Sequence, residues 1–458
     1  MDREEIIAKV KLQRESLATN PLRNYKYRIE MLKLLHKNIK EMEQEICDAL
    51  YKDLNKSAEE SYMTEIGLVL EEISYMIKHC KSFSKIKKVN SPLAHFHSKS
   101  YKLPSPYGSV LIISPWNYPF MLAIEPLVDA IAAGNSVVLR PSSVSHNVAL
   151  VIEKLISKTF LPEQAFVVLG SREDCNLLLE QKFDYIFYTG STNVGKLVMQ
   201  KAIEHFTPYT LEMGGKSPCI VDETANIKLA AKRIVFGKFL NAGQTCVAPD
   251  YVYCSKVIKD ELIKEIERQI ILQYSVTPLT NNDYPKIINN KRFSALIEML
   301  KHDKVIFGGK YDEQKLKIEP TILDCDFDSA TMQEEIFGPL VPIVTFDNLN
   351  QAIDTINSRP KPLALYIFSS SKTNQNMVLN SCQFGGGCVN DTIMHIANSN
   401  LGFGGVGESG IGSYHGKAGF DTFTHYKSII DKKTWIDMPM RYQPYNKFKT
   451  FFIRKFLK

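Results

Sequence analysis

An alternation between residues 109 and 191 narrows the fold more than any other feature. Short apolar runs, SVLIISP (109–115), SVVLRPS (136–142), AFVVLG (165–170) and YIFYTGS (185–191), alternate with helical segments such as PFMLAIEPLVDAIAAGN and NVALVIEKLISKTF. A strand that is apolar throughout needs cover on both faces, and intervening helices supply it. The pattern predicts βαβ crossovers and a parallel sheet, with Gly134 stopping the first helix. Ligands of such sheets bind beyond the carboxyl ends of the strands. Pro115, Arg140 and Gly190 therefore share one rim.

Helices are expected on the N-terminal side of this region. In MLKLLHKNIKEMEQEICDAL, Leu32, Leu34, Leu35, Ile39, Met42 and Ile46 recur at helical spacing, and EIGLVLEEISYMIKHCKSF reads the same way. Pro92, Pro104 and Pro106 punctuate the connecting stretch SPLAHFHSKSYKLPSPYG. A second α/β region opens at TLEMGGKSPCIVD. It holds a helix (NIKLAAKRIVFGKFL), a strand (DYVYCS) and a helix with Ile258, Leu262, Ile266 and Ile270 at steps of four. Glycine-rich stretches, FGGGCVND and LGFGGVGESGIG, follow near the end.

The chain has 458 residues, room for two or three domains, and its 44% hydrophobic and 23% charged residues are ordinary for a soluble protein. A net charge of +6 is modest, and with no nucleic-acid signature a nucleic-acid partner is not expected. The nine cysteines form no CxxC pair, which argues against a disulfide framework and against a structural zinc site, so no metal is expected. The leading MDREEIIAKVKLQRES mixes both charge signs and lacks an apolar core, unlike a signal peptide. No apolar run is long enough to span a bilayer. A reduced, cytoplasmic setting is the expectation.

Four segments carry candidate chemistry: PWNYPF (115–120), YTGSTNVG (188–195), LEMGGKSP (211–218) and GQTCVAP (243–249). Each is ambiguous by itself. Gly190 to Gly195 could be any strand-to-helix turn, Cys246 a small buried hydrophobe, Asn117 a turn residue and Glu212 a surface glutamate at a strand end. Their order and spacing, together with QEEIFGPL (333–340), closely resemble the NAD(P)-dependent aldehyde dehydrogenase superfamily from about residue 20 to 430. The short N-terminus, YHGKAGFDTFTHYKS and a basic aromatic tail are most similar to class 3, the fatty and aromatic aldehyde dehydrogenases.

The resemblance implies an α/β protein with a Rossmann-type cofactor domain at 1–85 and 108–211 and a catalytic domain at 212–397. A bridging, oligomer-forming element would take 86–107 and 398–440, followed by a basic tail at 441–458. It implies oxidation of an aldehyde to the acid with NAD or NADP. A thiolate adds to the carbonyl first, because a hydride leaves more readily from the resulting adduct than from the bare carbonyl. Cys246 would be that nucleophile, with the Asn117 amide and the Cys246 N–H as oxyanion donors. Glu212 would be the general base for thioester hydrolysis. Relatives that pass the acyl group to coenzyme A usually lack a glutamate there, so hydrolysis is favoured. Acyl transfer to coenzyme A, a cysteine-dependent thioester hydrolase and a non-catalytic scaffold are the rival readings.

Cofactor contacts carry over to Ser114, Pro115, Trp116, Gly190, Ser191, Gly195, Glu335 and Phe337, with Glu334 a mere neighbour. One departure stands out. Where many relatives have a lysine and, three residues later, a glutamate at the adenosine ribose, LRPSS gives Arg140 and Ser143. Loss of the carboxylate and gain of a planar donor set suit a 2′-phosphate, so NADP is expected to be accepted and preferred. Tyr118 and Asn390 are expected on the substrate side, with His395 either there or packed structurally. Class 3 resemblance favours medium- or long-chain aliphatic, aromatic or polyene aldehydes, and a homodimer. The tail, RYQPYNKFKTFFIRKFLK, has no acidic residue and interleaves cations with Phe448, Phe451, Phe452 and Phe456, a pattern that can lie on an anionic membrane.

Overall fold

Two mostly parallel sheets, each sandwiched between helices, carry the chain in a computed structural model that describes residues 2–457. The first has six strands in the order Gly410–Ile411, Tyr209–Glu212, Tyr185–Thr189, Ser109–Ile113, Ser136–Arg140, Ala165–Val167. All neighbours are parallel except the short Gly410–Ile411, which runs antiparallel to Tyr209–Glu212. Along Ser109–Ile113 the side chains alternate between two cores. Val110 and Ile112 join the helices Tyr25–Glu41, Gly67–Phe83, Met121–Ala133 and His146–Thr159. Leu111 and Ile113 face Arg3–Ser16, Arg172–Leu179 and Thr192–Ile203.

Strand order places the first crevice. From Ser109–Ile113 the chain builds outward through Ser136–Arg140 and Ala165–Val167, then returns to add Tyr185–Thr189 on the other side. The reversal leaves a gap beyond Ile113 and Thr189, where crossovers diverge to opposite faces. Pro115, Trp116, Gly190 and Ser191 line that gap.

The second sheet has seven strands in the order Lys304–Phe307, Thr321–Asp324, Leu340–Phe346, Tyr251–Ser255, Pro218–Val221, Ala364–Phe368, Gly386–Val389, with only Lys304–Phe307 antiparallel. Ile227–Phe239 and Lys259–Tyr274 cover one face, and Leu349–Asn357 with Lys372–Ser381 cover the other. A three-stranded antiparallel sheet joins Lys87–Val89, Ser98–Pro106 and Thr424–Lys432.

Two expectations are corrected. The span 398–440 does not act as one bridging element. Gly410–Ile411 extends the first sheet, and Phe420 and Phe423 enter its core, where Phe423 lies 5.7 Å and Tyr414 5.0 Å from the Phe187 ring. Only Thr424–Lys432 pairs with the bridging strands. These aromatic rings need burial, and the nearest apolar wall belongs to the first sheet. In addition, the apolar run through residues 31–50 is two helices, Tyr25–Glu41 and Glu43–Leu54, broken at Met42 (φ −101°, ψ 10°). The break turns Ile46 and Leu50 under His146–Thr159, and Leu34 faces outward.

Candidate active site

The loop that carries Cys246 is held in a conformation its residues would not choose alone. After Ile227–Phe239 the chain passes through Asn241 (φ 53°), Ala242 (φ 52°) and Gly243 (φ 74°), all in the left-handed region. Such a conformation costs a non-glycine residue on the order of 1–3 kcal/mol. Hydrogen bonds offset it. The Asn241 N–H donates to Glu60 at 2.8 Å, and its side-chain amide donates to the Asn117 carbonyl at 2.8 Å. Gln244 spans the loop, donating to the Asn241 and Lys286 carbonyls at 3.0 Å each and accepting from the Ile288 N–H at 3.0 Å. The Tyr366 hydroxyl donates to the Val247 carbonyl at 2.6 Å. Gly243 has no substitute, because a Cβ there would lie 2.3 Å from the Gly338 carbonyl oxygen.

Asn117 and Tyr118 reach the loop from the first sheet. A buried ion pair, Lys56 to Glu65 at 2.6 Å, fixes them. Glu65 accepts the N–H groups of Phe120 (2.9 Å) and Met121 (3.2 Å), capping Met121–Ala133, while the Lys56 ammonium lies 4.3 Å from the Tyr118 ring centroid. The Tyr118 and Thr245 hydroxyls share a 2.6 Å hydrogen bond. The Asn117 amide donates one N–H to the Gln244 carbonyl at 3.0 Å. A side-chain amide has two such donors, so one remains for a ligand.

Cys246 borders two cavities. One, of about 260 Å³, opens on the crevice of the first sheet and is lined by Pro115, Trp116, Asn117, Thr189, Gly190, Ser191, Glu212, Gly214, Arg292, Glu335 and Phe337. The other, of about 230 Å³, is mainly apolar, with Met63, Leu68, Tyr118, Phe236, Met394 and Tyr414 among its walls. Leu122 and Phe403 border both.

The first cavity fits a nicotinamide dinucleotide. Of its walls, the Thr189 hydroxyl, both Glu212 carboxyl oxygens and Arg292 Nε are buried without a hydrogen-bond partner, whereas Ser114, expected among the cofactor contacts, does not line it. Thr192–Ile203 begins at the rim with no side-chain cap on its first N–H groups, a ready anion site. Trp116 and Phe337 meet edge to face, centroids 5.4 Å apart. Glu335 lies so close above Gly214 that a Cβ there would come 2.1 Å from its carboxyl. The described residues contain no group of three or more His, Cys, Asp or Glu placed to hold a metal ion.

Burial controls the charges here. It raises Glu212 well above the usual carboxylate range. Burial, with the Asp250 charge adding, pushes Glu335 up to about 8. Burial and then the Glu335 and Glu212 charges push the Cys246 thiol up to about 12. With the cavity free of ligand the thiol is therefore protonated at neutral pH. A buried thiol, a buried carboxyl and an amide donor around one opening can together form and hydrolyse a thioester.

Other expected residues fall outside these cavities. Gly195 sits inside Thr192–Ile203, where a Cβ would lie 2.5 Å from Met213 Sδ, so it serves helix packing instead of touching a ligand. Asn390, expected to face the substrate, instead accepts from the Ser369 N–H at 2.8 Å and donates to the Ser369 carbonyl at 3.0 Å, tying adjacent strand ends together. His395 packs 3.6 Å from Cys388 Sγ, and burial lowers it to about 4. Its neighbours Ile393, Met394 and Ile396 line the apolar cavity in its place. Arg140 donates to the Gly170 and Ser171 carbonyls at 3.4 and 3.0 Å, and Ser143 is exposed nearby in sequence. Glu334 gives its carbonyl to Lys216 at 2.9 Å. Sequence reading missed Arg292, whose guanidinium donates to the Ile336 carbonyl at 2.8 Å and so holds the Glu335–Phe337 turn. It stands in a helix with no motif around it. Phe403 lies in the glycine-rich stretch already noted, which was the available signal.

The raised thiol has a measurable consequence. In cofactor-free protein, alkylation of Cys246 by iodoacetamide should quicken about tenfold per pH unit from 7 to 9 without a plateau, since only the thiolate reacts. Peptide mass spectrometry separates it from the other thiols. A rate already flat at pH 7 would show a thiolate at rest.

Comparison with known proteins agrees with this geometry. The family model described as "Aldehyde dehydrogenase family" matches residues 1–429. The 4,4'-diaponeurosporen-aldehyde dehydrogenase of Staphylococcus aureus (strain NCTC 8325 / PS 47) is 50% identical over 444 residues, 96% of each chain. The dimeric NADP-preferring aldehyde dehydrogenase of Canis lupus familiaris is 40% identical, covering 96% of this chain and 97% of that one. A substrate-bound structure of Staphylococcus aureus AldH superposes with a TM-score of 0.97 at 48% identity, over 99% of both chains. The chain belongs to the aldehyde dehydrogenase family.

Proposed function

We propose that Cys246 is the nucleophile of this aldehyde dehydrogenase, Glu212 its general base, and Asn117 with the Cys246 N–H its oxyanion donors. One observation carries the reading. Cys246 borders both the apolar cavity and the cofactor cavity, and no other cysteine borders either. The Cys246 thiol loses its proton to solvent water, its sulfur bonds to the aldehyde carbon, and the carbonyl electron pair moves onto oxygen. The second Asn117 N–H and the Cys246 backbone N–H stabilise that charge. A nicotinamide dinucleotide, held by Pro115, Trp116, Gly190, Ser191, Glu335 and Phe337, supplies when bound the hydride acceptor that leaves a thioester on Cys246. Glu212 then takes a proton from water, the water oxygen adds to the thioester carbon, and the carbon–sulfur bond breaks to release the acid. A carboxyl disfavoured as an anion by burial is a strong proton acceptor once ionised.

Glu212→Gln should leave thioester formation intact and slow its hydrolysis. The expected result is one rapid turnover of reduced dinucleotide, then a steady rate lowered about 10²–10⁴-fold, with the acyl group found on Cys246 by mass spectrometry. Undiminished steady turnover by this variant would remove Glu212 as the base. Cys246→Ser should abolish both phases.

The apolar cavity suits aliphatic, aromatic or polyene aldehydes, and a relative at 50% identity is named for a diaponeurosporen aldehyde. NADP is the preferred dinucleotide in this reading. Position 143 carries no carboxylate to repel a 2′-phosphate, Arg140 Nε is buried without a partner, and a relative at 40% identity is named NADP-preferring. Ser143→Glu should raise the KM for NADP about tenfold or more and change that for NAD far less. Equal effects on both would remove the preference.

The remaining assignments concern assembly and location. We place the chain in the cytoplasm as a homodimer with peripheral membrane contact through its tail. A relative at 40% identity is named dimeric. No described helix is long and apolar enough to cross a membrane, yet Lys447–Phe456 leaves Phe448 67% and Phe451 60% exposed among lysines and arginine. Sedimentation with anionic lipid vesicles, lost when residues 441–458 are removed, supports this placement. No vesicle binding at low salt rejects the membrane contact, and a monomer in sedimentation velocity rejects the dimer.

A further inference from the structure

The apolar cavity beside Cys246 holds polar groups that the reaction does not use. Its other hydroxyls are spoken for: Tyr118 and Thr245 satisfy each other, and Thr64 donates to the Glu60 carbonyl at 2.7 Å. Glu125, Tyr414 and His415 border the same cavity; His415 Nε2 is buried without a partner, and neither the Glu125 nor the Tyr414 side chain makes a hydrogen bond to any described residue. Glu125 is 4% exposed and stands on Met121–Ala133 one turn beyond Leu122, which also borders the cavity. A carboxyl buried in an apolar wall without a partner is costly, and a ligand that supplies the partner regains that cost.

The groups behind Glu125 do not serve it. Glu72 accepts the Gly416 N–H at 2.9 Å and lies 3.0 Å from His415 Nδ1. That contact holds the His415 turn, which has a left-handed backbone (φ 83°), and keeps Tyr414 beside the cavity. Burial pushes the Glu125 carboxyl up to about 8, with His415 opposing and Glu72 and Glu71 adding. Near neutral pH it is largely a neutral acid, able both to donate and to accept.

We propose that Glu125 and Tyr414 form a specificity subsite that hydrogen-bonds a second, neutral oxygen, hydroxyl or carbonyl, carried on the hydrocarbon part of the aldehyde. The proposal rests on Cys246 as the nucleophile, which places the aldehyde carbon at one wall of this cavity. The preferred substrate is then an apolar aldehyde oxygenated at one further position, and not a plain hydrocarbon aldehyde.

The test compares kcat/KM across a range of chain lengths for matched aldehydes ending in a methyl, bearing a terminal hydroxyl, or bearing a carbonyl one carbon inward. At one chain length an oxygenated member should exceed its hydrocarbon partner about tenfold, as one added hydrogen bond allows. Which oxygenated series wins identifies the oxygen. Glu125→Leu should bring the ratio to about one or below, and Glu125→Gln, which keeps a donor and an acceptor, should retain most of it. Tyr414→Phe keeps the ring and should lower the same ratio, so the result survives if Glu125→Leu does not fold. Equal rates for all members at every length, or a ratio indifferent to both Glu125→Leu and Tyr414→Phe, overturns the subsite. If the wild-type chain oxidises no member of any series, the reading of Cys246 falls and the subsite with it.

Discussion

Glu65 ties the parts of the site together through one buried carboxylate. It pairs with Lys56 and caps the helix that follows Asn117 and Tyr118. Both members of the ion pair have no exposed side-chain surface. Removing one partner of such a pair leaves an uncompensated buried charge, typically about 3–5 kcal/mol of destabilisation. The arrangement also sets geometry. The cap fixes where Met121–Ala133 begins, and that start fixes Asn117 against the Gln244 carbonyl. Tyr118 is held between the Lys56 ammonium and the Thr245 hydroxyl.

Each sheet supplies part of the proposed site. Asn117 and Glu212 follow or end strands of the six-stranded sheet, while Cys246, Glu335 and Phe337 stand on loops of the seven-stranded one. The contact is close: Gly243 meets the carbonyl of Gly338, and Glu335 lies directly over Gly214. Bringing a thiol, Glu212 and Glu335 into one dry opening has an electrostatic cost, visible in the upward displacement of all three. A dinucleotide of opposite local charge would relieve part of it, which accords with the unpaired polar atoms that wait there.

Much of the fold was legible because it is written in local periodicity. The runs at 109–115, 136–142, 165–170 and 185–191 contain the strands Ser109–Ile113, Ser136–Arg140, Ala165–Val167 and Tyr185–Thr189. The reading failed where local pattern is silent. Nothing within residues 398–440 says that Gly410–Ile411 returns to pair with Leu211 and Glu212, because that pairing spans some two hundred residues of chain. Asn390, expected on the substrate side, has its amide claimed by the Ser369 backbone.

The sequence by itself determined the class of fold, the family and the candidates for the reactive groups. Strand and helix periods report burial locally, and the motifs around Asn117, Glu212 and Cys246 each fit within a few residues. Only the tertiary structure decided which of those groups meet, which thiol borders two cavities, and which polar side chains in the apolar one are left without partners. Those properties depend on strand order, on one buried ion pair and on distances between residues far apart in the chain. A polar residue such as Glu125 reads alike in sequence whether a neighbour satisfies it or a substrate must, and its surroundings alone separate the two.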